Sequence, residues 1–129
     1  MAASEASANV LRDLIEVTKP RITSTVVLTA AAGVWLANRT FPALARPWGE
    51  SLLAVLVVGV LVSGASALNC WYERSTDALM RRTRNRPIPA GRLAPGLAFA
   101  WGLSLCAVAL AALALAFTPL SALLGFVAL

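Results

Sequence analysis

Asn69, Glu73 and Asp77 stand four residues apart along the chain. On an α-helix each step of four advances about 400°, which is about 40° beyond a full turn, so the three share one face over about 12 Å of axis. An amide and two carboxylates in a row offer oxygen ligands to a hard cation. Mg²⁺ takes one or two carboxylates, keeps several waters and fills its shell with phosphate oxygens. The run that follows, "RRTRNRP" (Arg81–Pro87), supplies guanidinium groups that can grip phosphate oxygens bidentately. Lys19 and Arg21, at the mouth of an earlier apolar run, are placed to approach from a neighbouring helix. The expected ligand is therefore a magnesium diphosphate. Asn69, Glu73 and Asp77 are the expected metal ligands and catalytic residues, and Lys19, Arg21, Arg82 and Arg86 the expected diphosphate partners. A plainer reading stands beside it. Arginines next to apolar runs commonly anchor topology, and acidic residues near them commonly make only weak surface pairs.

The elements that must position these residues are membrane spans. Of 129 residues, 59% are hydrophobic and only 13% charged, against about 25% in an ordinary soluble domain, and the mean hydropathy is +0.76. The charges are segregated: Ile22–Asn38, Ser51–Tyr72 and Leu93–Leu129 carry none. A hydrocarbon core of about 30 Å needs about 20 apolar residues in a helix. The pattern predicts an all-α, polytopic transmembrane bundle with spans at about Ile22–Ala37, Ser51–Tyr72 and Pro95–Phe117. The ten residues "LSALLGFVAL" after Pro119 are too few to cross and read as a truncated fourth span, so a fragment is expected. Residues 1–20 read as a cytoplasmic tail and surface helix, and residues 21–129 as the membrane domain. "VLRDLIEVTK" (Val10–Lys19) has the apolar spacing of an amphipathic helix lying on a membrane surface, and Met1 to about Asn9 is expected to be disordered. "NRTFPALARPWGE" (Asn38–Glu50) reads as a loop with an interfacial Trp48. The small residues Gly59, Ser63, Gly64 and Ser66 suit close helix packing. Spans around the charged cluster would give a long hydrocarbon tail an apolar trough, the geometry that a polyprenyl diphosphate requires.

The net charge of +5 belongs to arginines beside spans and signals no nucleic-acid partner. Three basic residues precede the first span, two lie in the first connection and six in the second. By the positive-inside rule this makes the N-terminus and the 73–92 loop cytoplasmic, in a bacterial-type inner membrane. The N-terminal stretch lacks the basic start of a signal peptide. Histidine is absent, which removes the usual zinc ligand and general base. Cys70 and Cys106 have no metal or redox spacing and read as small buried hydrophobes.

"LIEVTKPRITSTVVLTAAAGVWLA" followed by "NCWYERSTDALMRRTRNRPIPAGRLAP" resembles the N-terminal part of the UbiA superfamily of membrane prenyltransferases, in its haem-modifying branch. The resemblance runs from about Leu14 to the end. The superfamily's first acidic motif, N-x-x-x-D-x-x-x-D, reads here Asn69, Glu73, Asp77; the glutamate keeps the charge and adds one methylene of reach. The resemblance implies about nine transmembrane helices around a cavity, Mg²⁺ as cofactor, and a second acidic motif in a later cytoplasmic loop. It implies transfer of a farnesyl group from farnesyl diphosphate to a vinyl group of haem B, giving haem O. Alternatives are another UbiA-type transferase acting on a quinone precursor or a chlorophyll-type alcohol, or a non-catalytic membrane fragment whose arginine loop binds anionic lipid. With only the first motif in the chain, these residues alone are expected to be inactive.

Overall fold

The structure, a computed structural model, describes residues 2–129, with side chains from Asn9 onward. Six α-helices follow one another: α1 (Ala2–Val17), α2 (Pro20–Thr40), α3 (Trp48–Tyr72), α4 (Arg74–Leu79), α5 (Pro95–Ala116) and α6 (Pro119–Val127). A 3-10 turn at Pro42–Leu44 joins α2 to α3. Three helices, α2, α3 and α5, are long and apolar enough to cross a membrane. They are the three spans expected: α2 is longer by two or three residues at each end, α3 begins three residues earlier, and α5 ends one residue sooner. Proline stands at the first turn of α2, α5 and α6, where its missing N–H costs no hydrogen bond.

One expectation is corrected at the N-terminus. Helix α1 begins at Ala2 rather than Val10, so the tail read as disordered is helical apart from Met1, which lies outside the described residues. Alanine, the strongest helix former, recurs through that stretch. Helix α1 also docks on the bundle at its C-terminal end. Val17 is buried with Ala67 and Cys70 of α3, Ile88 and Leu93 of the following loop, and Ala98 of α5, while Leu14 packs against the same cluster. The chain reverses between α1 and α2 at Lys19, whose φ of 51° lies in the left-handed region.

α3 and α5 form the principal helix pair. They touch at two glycines: a Cβ on Gly64 would lie 2.9 Å from Gly102 O, and a Cβ on Gly102 would lie 3.0 Å from Gly64 O. Small residues let backbones approach where no hydrophobic force separates lipid from protein. A second apolar cluster, Val57, Leu61, Cys106, Ala109 and Leu113, continues along the pair. Helix α2 lies against α3, with Val27 over Gly59, and presents most of its surface outward, as a lipid-facing helix does. At the far end α6 folds back on α5, where a Cβ on Gly125 would meet Leu113 and Leu61. Its first turn is capped by the Thr118 hydroxyl, which accepts from Ser121 N at 3.2 Å. With nine residues, α6 falls short of the roughly 20 that a span needs.

Candidate functional site

The acidic face begins on α3 and continues past its end. Helix α3 stops at Tyr72, and Glu73 (φ −79°, ψ 0°) links it to α4. The hydrogen-bond ladder carries across the break: Glu73 N donates to Asn69 O at 2.9 Å and Asp77 N to Glu73 O at 2.8 Å. The spacing of four therefore keeps its helical meaning. Arg86 Nη1 lies 2.6 Å from Asp77 Oδ2 and 3.9 Å from Glu73 Oε2. Two carboxylates thus converge on one cationic nitrogen. Asp77 is the buried member, its side chain 6% exposed against 44% for Glu73. Asn69 sits one turn back on α3; it is exposed, and its side chain makes no hydrogen bond among the described residues.

The loop after α4 delivers Arg86. Thr83, itself buried, donates its hydroxyl to Asp77 O at 3.0 Å. Arg86 N donates to Thr83 O, and Arg92 N and Leu93 N both donate to Pro87 O. Gly91 turns the chain with φ +73°, a conformation open to glycine at no steric cost. Pro87, Ile88 and Leu93 are buried beneath this turn.

Lys19 joins the same neighbourhood. It follows Val17 by two residues, and the Val17 carbonyl accepts from the thiol of Cys70, the residue next to Asn69 in the chain, at 3.6 Å. Arg82 and Arg21 are exposed and form no ion pair among the described residues. Of the seven residues singled out from the sequence, the structure brings Glu73, Asp77 and Arg86 into contact and sets Lys19 nearby; among the described residues Asn69, Arg21 and Arg82 make no side-chain hydrogen bond or ion pair to them.

A second charged group was not anticipated. Arg92 Nε lies 3.1 Å from Asp13 Oδ1, its Nη2 lies 3.1 Å from Glu16 Oε2, and its Nη1 donates to Asn85 O at 3.1 Å. One guanidinium therefore ties α1 to the loop that carries Arg86. Asp13 is buried by this contact. The signal in the sequence was a pair of acidic residues three apart on a helix otherwise read as a surface element. Only its partner, far along the chain, was hidden.

The donor set suits a hard divalent cation. Among the described residues no three or more His, Cys, Asp or Glu side chains gather. A metal here would take the Glu73 and Asp77 carboxylates and the Asn69 amide oxygen, leaving positions for water and phosphate, as Mg²⁺ prefers.

The model of the UbiA prenyltransferase family matches residues 26–129, and the chain belongs to that family. Among its relatives, the protoheme IX farnesyltransferase of Myxococcus xanthus (strain DK1622) is 47% identical over 128 residues, covering 99% of this chain and 42% of that one. That of Anaeromyxobacter dehalogenans (strain 2CP-C) is 45% identical, covering 92% of this chain and 39% of that one. That of Rhizobium etli (strain CIAT 652) is 48% identical, covering 92% and 35%. The chain spans about two fifths of the length of these curated relatives. No solved structure matches it.

Proposed function

We propose that the protein transfers a farnesyl group from farnesyl diphosphate to a vinyl group of haem B, giving haem O, with Mg²⁺ as cofactor. The observation that carries this reading is the convergence of Glu73 and Asp77 on Arg86 at the end of α3. Asn69, Glu73 and Asp77 would hold the metal, and Lys19, Arg21, Arg82 and Arg86 would bind the diphosphate. A guanidinium has five N–H donors, so Arg86 can keep Nη1 on Asp77 and present the others to a phosphate oxygen. Mg²⁺ held there would supply a Lewis acid to offset negative charge on the diphosphate.

The chain's own part is electrostatic preorganisation. Arginine and lysine groups set before the reaction stabilise charge as the allylic carbon–oxygen bond breaks. The farnesyl cation is attacked by the electron-rich vinyl group, water adds to the resulting carbocation, and a proton is released. No nucleophilic side chain is required. The N-terminus and the 73–92 loop face the cytoplasm across an inner membrane, and the farnesyl tail lies among the spans.

The test is a chimera in which residues 1–129 replace the matching segment of the Myxococcus xanthus relative, supplied with haem B, farnesyl diphosphate and Mg²⁺. Haem O is the expected product, and Asp77→Asn should lower turnover by roughly 10²–10³. Near-normal haem O from that variant would refute the metal role. Prenylation of 4-hydroxybenzoate in place of haem B would move the assignment to the quinone branch. The 129-residue chain alone is expected to yield no haem O, because the family's second acidic motif is not among its residues.

A further inference from the structure

A second site lies at the opposite end of the bundle from Glu73 and Asp77. There α2, α3 and the connection between them border an open cavity of about 570 Å³, within the range of small-molecule pockets. Its depth is apolar, lined by Ala31, Val34 and Val55, with the exposed Leu52 at its edge, and its rim carries Trp35, Trp48, Arg39 and Arg46. The rim is braced by hydrogen bonds. Asn38 Nδ2 donates to Ser51 Oγ at 3.1 Å, and Arg46 N donates to Asn38 Oδ1 at 3.2 Å.

The two arginines differ in their partners. Arg46 Nη1 pairs with Glu50 Oε2 at 2.7 Å, and its guanidinium carbon lies 5.8 Å over the ring of Phe117. Arg39 stacks on Trp35 at 5.4 Å and has no carboxylate within ion-pair distance among the described residues. The rim therefore holds one uncompensated positive charge, placed on an aromatic platform beside an apolar cavity. Guanidinium groups bind phosphate oxygens through paired N–H donors. Tryptophans at the ends of spans sit at the level of lipid headgroups.

We propose that this cavity binds one anionic phospholipid, its phosphate on Arg39 and an acyl chain between α2 and α3. Charge complementarity selects the occupant: one unpaired guanidinium calls for a headgroup of net negative charge, and the apolar depth calls for a chain. The site stands apart from the diphosphate site, since Ser51 and Asn69 are separated by about 27 Å along α3 at 1.5 Å per residue. It does not depend on the proposed reaction.

The probe is phosphatidylglycerol bearing a photoactivatable acyl chain, added to the purified 129-residue chain in phosphatidylcholine nanodiscs. Labelling should fall in peptides containing Ala31–Val34 and Leu52–Val55. Unlabelled phosphatidylglycerol should compete for it, and inorganic phosphate should not. Arg39→Gln should reduce that labelling about tenfold. Leu52→Trp, which fills the cavity while keeping every charge, should reduce it similarly. Helix content by circular dichroism should be unchanged in both. Equal labelling by the phosphatidylcholine analogue, or full labelling of Arg39→Gln, would reduce the site to ordinary lipid contact and overturn the proposal. Competition by inorganic phosphate would identify a free-anion site and overturn it as well.

Discussion

Replacing Gly64 with alanine tests how closely α3 and α5 must approach for the site to form. The new Cβ would lie 2.6 Å from Cys106 Sγ and 2.9 Å from both Cys106 N and Gly102 O. Carbon contacts are comfortable at about 3.5–4.0 Å, so the helices must part by roughly 1 Å at the crossing. The thiol can swing aside, but the two peptide atoms can move only with α5 itself. Overpacking of this kind costs about 1–3 kcal/mol, a fall of roughly 5- to 150-fold in the folding equilibrium. Equilibrium unfolding in mixed dodecyl maltoside and dodecyl sulfate micelles, followed by far-ultraviolet circular dichroism, measures it. The companion variant Cys106→Ala removes the sulfur contact and leaves both peptide contacts. The double variant Gly64→Ala/Cys106→Ala should therefore retain most of the Gly64→Ala penalty. Wild-type stability in Gly64→Ala, or full rescue by Cys106→Ala, would refute the backbone crossing. The loop carrying Arg86 runs from α4, which follows directly on α3, to α5, so parting the helices should also loosen the Arg86–Asp77 pair.

Other substitutions probe the loop and its anchor. Arg92→Gln should leave Asp13 and Glu16 without their partner and raise hydrogen exchange in Asp13–Val17 about tenfold, equivalent to about 1.4 kcal/mol; unchanged exchange would mean that α1 is held by its apolar contacts alone. Gly91→Ala should cost about 1–2 kcal/mol through its left-handed φ, since the space around it is open, and Gly91→Asn should cost less; a harmless alanine would show that the turn relaxes. Arg86→Gln leaves the Asp77 carboxylate buried, and because Arg86 itself is 31% exposed the loss is about 1–3 kcal/mol, short of that for a fully buried pair. Adding Asp77→Asn should recover most of it. A double variant no more stable than Arg86→Gln would show that the pair is not coupled.

Charge distribution along the chain determined the three spans. A run of some twenty uncharged apolar residues has one stable arrangement in a bilayer, because a helix satisfies every backbone group internally. The alignment of Glu73 with Asp77 was equally local, since a spacing of four on a helix is a matter of backbone geometry. Which arginine would meet those carboxylates was not local. Arg81, Arg82, Arg84 and Arg86 carry the same charge within six positions, and only the buried turn at Thr83–Leu93 selects Arg86. The bond from Arg92 to Asp13 joins residues 79 positions apart, beyond the reach of any periodicity. The close approach at Gly64 and Gly102 likewise depends on two helices meeting face to face. Local backbone geometry and the bilayer set the elements, while contacts between distant segments set their partners, because a side chain's neighbours across the chain exist only once the helices have packed.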